Sequence, residues 1–342
     1  MKNILIFGSG SIGTHMSYAC RQLKFNVFVT DINTSALERM KKKIFPKRYG
    51  IWDKKINLID YKFIFKKKIK YDLIIIGTPP KTHINLYYQC KNKLKFNKML
   101  IEKPLTFYND KNLIRIEKEN FNNKVFCGYN HSISKSFKFF FSLLIKKNFK
   151  PSTIEVNWRE SWDGILKAHF WLKNEFSSYL GNAKNGGGAL QEHSHGLHLL
   201  HIILKNYNID LKNSNFKNKS IFNSDKKNKY DVFSSISGIE NKIFFNYQTD
   251  LLTSPQDKSI RISDGKNEIQ LIFNHKSNQD AIITFKNKIK LREYVFPKNR
   301  SSEFENEIKH ILLSDKIEKN ISINNAIDVM HIINKIIKNE KK

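Results

Sequence analysis

The sequence predicts an α/β protein, with a doubly wound parallel sheet first and an α+β part with a mainly antiparallel sheet after it. Three observations carry this prediction. The apolar run Ile4 to Phe7 is followed at once by Gly8, Gly10 and Gly13 in G-x-G-x-x-G spacing. Apolar strands then alternate with helical stretches to about residue 128, the pattern of a parallel sheet with helices on its faces. From Asp231 to Val295 the pattern changes to short strands of alternating character, as antiparallel sheets require.

The first strand is apolar throughout because a parallel strand covered on both faces needs it. Gly8 permits a tight turn, Gly10 lets backbone approach a pyrophosphate, and Gly13 lets the next helix pack on the strand. That helix, Ser11 to Gln22, aims its unpaired N–H groups and positive dipole end at the same place. Ser11 and Ile12, its first residues, are therefore candidate phosphate contacts. A second strand, Asn26 to Thr30, leads to Asp31, and 31 − 13 = 18 residues separate it from the last glycine. This is close to the ~20 expected for the acid that hydrogen-bonds the adenosine ribose. A carboxylate there accepts from a 2′-OH and repels a 2′-phosphate, so the expected cofactor is NAD, with NADP less favoured.

The first part continues with a helix over 35–43 and a lysine-rich stretch, 44–71, with short elements near Ile51 and Phe63. A buried strand over 72–76 ends in Gly77-Thr78-Pro79-Pro80-Lys81-Thr82-His83. A helix over 83–93, a strand over 98–101, a helix over 109–119 and a strand over 124–127 complete it. The second part opens with an apolar-rich helix over 133–146 and a strand over 152–158. An irregular aromatic segment, 159–185, leads to Gly186-Gly187-Gly188 and a helix over 189–205. Strands are expected over 232–235, 242–250, 259–262, 268–273, 281–285 and 289–292, then closing helices over 304–313 and 325–337. At 342 residues the chain exceeds one usual core. The expected domains are 1–128, which binds the cofactor, and 129–342, which serves substrate and oligomerisation.

The formal net charge is +29, from 60 basic and 31 acidic residues. The excess is mostly lysine spread along the chain, and no nucleic-acid-binding module is visible, so it reads as a solvated surface that also attracts an anionic substrate. Cys20, Cys90 and Cys127 are odd in number and lack C-x-x-C spacing, which suggests reduced thiols in a cytoplasmic protein. No signal-peptide pattern opens the chain, and no stretch approaches the ~18 apolar residues of a membrane helix.

Glu102-Lys103-Pro104 lies at the carboxyl end of a strand, where open α/β sheets bind ligands. A lysine there can hydrogen-bond a substrate hydroxyl and move its proton when hydride leaves the same carbon. On the residues alone, an ordinary exposed lysine is an equal reading. Pro104 restricts Lys103 to extended backbone.

In order, these motifs resemble the glucose–fructose oxidoreductase / inositol dehydrogenase (Gfo/Idh/MocA) family: the glycine turn, Asp31, Thr78-Pro79-Pro80-x-x-His83, Glu102-Lys103-Pro104 and the triple-glycine helix. The likeness is close over the first 130 residues, reaches to about residue 200, and rests on element order beyond. It implies a Rossmann domain, a C-terminal domain with a large open sheet, and NAD(P)-dependent redox at a sugar, cyclitol or nucleotide-linked sugar carbon. It makes Lys103 the catalytic lysine, Pro104 cis, and Thr78, Pro79, His83 and Glu102 neighbours of the cofactor. It makes Glu192 the acidic residue and His195 the acid/base or substrate-hydroxyl partner of the second domain; three apart, they share a helix face. Some members place the histidine four residues after the acid, where this chain has Gly196, and the acid is more usually Asp.

Four histidines, His193, His195, His198 and His201, invite a metal reading. His193 and His195 lie about 200° apart on a helix and do not share an ion easily. His195 with His198 could, but no third ligand is evident, so no metal is assigned. Asn130 follows the last parallel strand as a candidate substrate contact. Arg159 could pair with a substrate carboxylate or phosphate, and Trp162 and Trp171 could stack on a sugar; for each, packing of a long loop is the competing reading. The expected partners are a small sugar-like substrate, possibly anionic, and further copies of the chain as a dimer or tetramer, with no nucleic acid and no membrane. The rival reading is a non-catalytic NAD-binding regulator or scaffold of the same fold.

Overall fold

In the computed structural model, residues 1–146, 148–225, 227–276, 278–314 and 318–339 are described. The chain divides into two units, the first made of 1–106, 110–130 and 300–324, the second of 107–109, 131–299 and 325–342.

The first unit begins with β1, Asn3–Phe7, whose Ile4, Leu5 and Ile6 are wholly buried, as a central parallel strand requires. Then come α1 (Ser11–Gln22) and β2 (Asn26–Asp31). The helix expected over 35–43 is longer: α2 (Thr34–Arg39), a π turn (Met40–Ile44) and α3 (Phe45–Tyr49) run on without a break. Asn33 starts it, accepting the Ser35 N–H with its side chain. Neither a helix nor a strand forms at Ile51, which is 94% exposed; β3 is Ile56–Asp60 and α4 is Tyr61–Ile64. The rest follows the reading: β4 (Lys70–Ile76), α5 (His83–Lys93), β5 (Lys95–Ile101), α6 (Asn112–Glu117) and β6 (Val125–Cys127). All six strands are parallel, in the order β3-β2-β1-β4-β5-β6. The order reverses direction between β1 and β4, the switch point at which such sheets bind ligands.

The second unit contains α7 (Lys135–Lys146), β7 (Thr153–Arg159) and α8 (Trp162–Ala168), the last within the stretch expected to be irregular. The helix expected over 189–205 is broken. It forms α9 (Ala189–Glu192) and α10 (Ser194–Asn206), with His193 between them at φ −94° and ψ 20°. The His193 carbonyl accepts both the Tyr247 hydroxyl at 3.1 Å and the Gly196 N–H at 3.1 Å. Seven more strands follow: β8 (Lys217–Phe222), β9 (Asp231–Glu240), β10 (Ile243–Asp250), β11 (Asp257–Ser263), β12 (Asn267–Lys276), β13 (Gln279–Lys286) and β14 (Ile289–Pro297). The eight-stranded sheet has the order β14-β13-β12-β11-β7-β10-β9-β8, parallel only between β7 and β10. Gly196 lets α10 lie on this sheet, since a Cβ there would meet Trp158 at 2.6 Å and Tyr247 at 2.8 Å.

The chain then returns to the first unit. Its α11 (Arg300–Leu312) packs on α1, where Phe304 stacks on His15 with ring centroids 5.1 Å apart. The final helix, α12 (Ile323–Asn339), buries its apolar stripe, including Ile327, Met330, Ile333 and Ile337. Among the described residues no helix is long and apolar enough to cross a membrane. Cys20, Cys90 and Cys127 are buried free thiols.

Candidate functional site

In the first unit the glycine turn lies at the switch point, and each glycine has a distinct task. Gly8 has φ +98°, and a Cβ there would come within 2.6 Å of the Gly77 carbonyl. A Cβ on Gly13 would sit 1.9 Å from the Gly8 carbonyl oxygen, so only glycine lets α1 close on β1. Gly10 faces open space, with no atom within 4 Å of where its Cβ would be. It precedes α1 with no side chain to cap the first-turn N–H groups, and no acidic side chain lies in that turn. A diphosphate therefore fits here by both charge and space. Ser11 and Ile12 are half-buried, and Ile12 packs over Gly77 at 3.2 Å from its would-be Cβ.

Asp31 ends β2 beside this turn. Its Oδ2 accepts the Ser9 N–H at 2.9 Å and the Ser9 hydroxyl at 2.8 Å, while Oδ1 accepts the Asn33 N–H at 3.0 Å. A carboxylate offers about four acceptor positions, so one remains on Oδ1 for a ribose hydroxyl. Arg48, which the sequence gave no reason to single out, donates to the Ser11 carbonyl at 3.1 Å and to the Ser11 hydroxyl at 3.0 Å. Burial lowers its pKa to about 10, which leaves it charged at neutral pH.

Thr78 begins the loop after β4, and its hydroxyl pairs with that of Thr82 at 2.7 Å. Pro79 is extended, and its carbonyl accepts the Thr82 hydroxyl at 2.8 Å. His83 is wholly buried, with Nε2 2.6 Å from the Thr78 carbonyl oxygen and Nδ1 3.1 Å from that of Pro104. Burial drops its pKa to about 4, so the ring is neutral. It joins the loop after β4 to the one after β5.

Lys103 is half-buried, and the Lys103–Pro104 peptide is cis, as the resemblance implied. Glu102 is 5% exposed, its carboxylate lying against Gly128, where an added Cβ would be 2.6 Å from Oε2. Glu307 of α11 is fully buried, with no hydrogen-bond partner for either carboxyl oxygen among the described residues. Burial, then the nearby charges of Glu102 and Glu303, push its pKa well up. Cys127 shares this surrounding; burial first, then Glu102 and Glu307, hold it as a thiol. Asn130, 8% exposed, ends this stretch of the unit.

In the second unit Glu192 ends α9 and His195 belongs to the first turn of α10, so the two do not share one unbroken helix face. Both are half-buried. His195 stands edge-on to His131, centroids 4.6 Å apart, and tilts over Trp158 at 5.8 Å. Phe273 completes the aromatic set, 5.3 Å from His131 and 5.2 Å from Trp158. Lys258 lies over the Trp158 ring at 5.8 Å. The strand alternation that buries Ile154 and Val156 places Trp158 on the same face, but nothing local linked it to His195.

Other predicted contacts are already engaged inside the unit. Arg159 donates to the buried Asp250 at 2.6 Å. Trp162 donates to the Tyr230 hydroxyl at 3.1 Å and packs on the cluster of Ile165, Leu180 and Leu251. Trp171 packs edge-on against His169 and Phe170. His193 bonds Thr249, and His201 lies 3.4 Å from Asp328. Among the described residues no group of three or more His, Cys, Asp or Glu is placed to hold a metal ion.

The overall architecture matches solved structures along nearly its whole length. The 3-ketoreductase KijD10 from Actinomadura kijaniata, solved with NADP and TDP-benzene, superposes with TM-score 0.69 at 10% identity, covering 97% of this chain and 96% of the other. An inositol dehydrogenase homolog from Azotobacter vinelandii, complexed with NAD+, gives 0.70 at 14% identity, covering 99% and 95%. The UDP-N-acetylglucosamine 3-dehydrogenase GnnA from Acidithiobacillus ferrooxidans gives 0.67 at 11% identity, covering 98% and 96%. The fold is the one these solved structures share, a parallel-sheet unit followed by one with a large, mainly antiparallel sheet. No family model matches the sequence, and no curated protein matches it. At these identities the likeness is one of architecture.

Proposed function

We propose that this chain is an NAD-dependent oxidoreductase that moves a hydride between nicotinamide and a hydroxyl or keto carbon of a sugar, cyclitol or nucleotide-linked sugar. One observation carries the reading: the glycine turn opens α1 at the switch point between β1 and β4, and Lys103 follows β5, the next strand. Gly8, Gly10, Ser11, Ile12 and Gly13 hold the diphosphate, Asp31 the adenosine ribose, and Thr78 and Pro79 the cofactor's flank. Asp31 favours NAD over NADP because a 2′-phosphate would meet its carboxylate.

NAD supplies the hydride acceptor when bound. The protein's part is to orient the substrate and move its hydroxyl proton. Lys103 Nζ is assigned that proton in the first unit. Glu192 and His195 of the second unit are assigned the substrate hydroxyls, with the ring of His195 steadied by His131 and Trp158. Asn130 is a further substrate contact. Arg159 and Trp162, engaged with Asp250 and Tyr230 inside the second unit, are assigned a packing role there. The neighbouring structures named above carry a ketoreductase with TDP-benzene and a UDP-sugar dehydrogenase, which favours a nucleotide-linked sugar; the lysine-rich surface would attract its phosphates. The test is turnover: incubation with NAD and a panel of polyols and nucleotide sugars should produce reduced nicotinamide. Binding of NAD with no turnover on any of them would favour the non-catalytic reading.

A further inference from the structure

Asp231 is a buried acid that the assignment above does not use. It is 2% exposed, at the first position of β9, and it reaches the triple-glycine turn that begins α9. Its Oδ2 accepts the Leu190 N–H at 2.8 Å, and the Ser234 hydroxyl donates to the same oxygen at 3.1 Å. Its Oδ1 occupies the space a side chain at position 188 would need: a Cβ on Gly188 would lie 2.2 Å from it. Gly188 has φ +94°, a conformation that side-chain-bearing residues rarely take. Glu192 then follows two residues after Leu190, and its N–H donates to the Gly188 carbonyl at 2.9 Å. The carboxylate thus grips the turn from which Glu192 and His195 project.

We propose that Asp231 is a positioning residue: acting through the Gly188–Glu192 turn, it holds Glu192 and His195 at the bearing the reaction needs. The proposal rests on the oxidoreductase reading.

Its consequence is a pH dependence. Burial raises the Asp231 pKa to about 7, against the lowering pull of the Leu190 and Ser234 hydrogen bonds. Ionised, the carboxylate grips the Leu190 N–H by a charge-assisted bond; protonated, it holds that donor more weakly. Several titratable groups surround it. Burial keeps the Tyr230 and Tyr247 phenols protonated well above neutrality. Glu192 ends the helix packed against β9, His193 follows it in the break before α10, and Asp250 on β10, despite its burial, is held ionised by Arg159 and by donors at Leu252 and Thr253.

The experiment compares wild type, Asp231→Asn and Ser234→Ala in kcat/KM against pH, with the Kd for NAD measured beside each. The substrate is whichever compound the turnover panel identifies. Wild-type activity should fall as pH drops through about 7. In Ser234→Ala this transition should move upward by several tenths of a pH unit, because the ionised form loses a donor. In Asp231→Asn the component of the transition that Ser234→Ala moves should vanish, leaving the ionisation assigned to His195, and kcat should fall at least tenfold, with the Kd for NAD within twofold of wild type. An Asp231→Asn enzyme that keeps the component moved by Ser234→Ala, or keeps kcat within twofold, would overturn the proposal and leave the oxidoreductase reading intact. If Asp231→Asn does not fold, an unmoved transition in Ser234→Ala overturns it instead. A wild type with no turnover on any substrate sinks the oxidoreductase reading, and this proposal with it.

Discussion

Asp31 Oδ2 accepts two hydrogen bonds from Ser9, one from its N–H at 2.9 Å and one from its hydroxyl at 2.8 Å. The residue proposed to select the ribose therefore also pins the turn proposed to hold the diphosphate. Asp31→Ala removes a charge-assisted bond to the ribose, worth ~1.5–3 kcal/mol, and loosens the turn as well. NAD affinity should fall by at least about tenfold, while NADP affinity, freed of the repulsion, falls less or rises. Titration calorimetry of both cofactors checks this. Equal wild-type affinity for NAD and NADP would remove Asp31 as the selector.

Lys103 follows β5 at the carboxyl end of the parallel sheet. Lys103→Ala should lose at least ~100-fold in kcat, the scale of general acid–base assistance, while the Kd for NAD changes little. Near-normal turnover would reduce Lys103 to a bystander.

Glu307 gives a pH prediction that needs no substrate. Its folded pKa is raised by burial and by Glu102 and Glu303. Above the ordinary glutamate pKa the native state holds a proton that the unfolded chain has released, so stability falls as pH rises from about 4.5. Glu307→Gln keeps the shape and removes the ionisation. Its melting temperature should gain on that of wild type between pH 5 and 8, by a few degrees. A difference that stays constant with pH would show that Glu307 does not carry this proton.

His195 sits edge-on to His131 at a ring separation of 4.6 Å, half-buried. His195→Asn should lower kcat, leave the melting temperature nearly unchanged, and remove an ionisation from the kcat/KM profile. If the ring were only packing, the variant would lose ~1–3 kcal/mol of stability and keep its turnover per folded molecule.

What the sequence revealed was local. The strand, three glycines and Asp31 fall within one βαβ stretch, where spacing alone carries the geometry. The Glu102-Lys103-Pro104 position was legible because a strand end is visible in its apolar run. What escaped depends on distant parts of the chain. The carbonyl at the His193 break accepts the hydroxyl of a tyrosine 54 positions away in sequence. Arg48 reaches Ser11 across 37 positions, and Asp231 reaches Leu190 across 41. The return of 300–324 to the first unit left no mark in periodicity, since α11 is amphipathic whichever core it joins. β8 was missed because its lysines and asparagine look like loop, although alternating polar residues suit an exposed edge strand.

The most direct test of the account is to follow the absorbance of reduced nicotinamide when the purified protein is given NAD and, in turn, polyols, cyclitols and nucleotide sugars. The account predicts saturable, enzyme-dependent formation of NADH with at least one of them, lost in Lys103→Ala. Tight binding of NAD with no formation of NADH, and no consumption of NADH with the corresponding keto compounds, would contradict it.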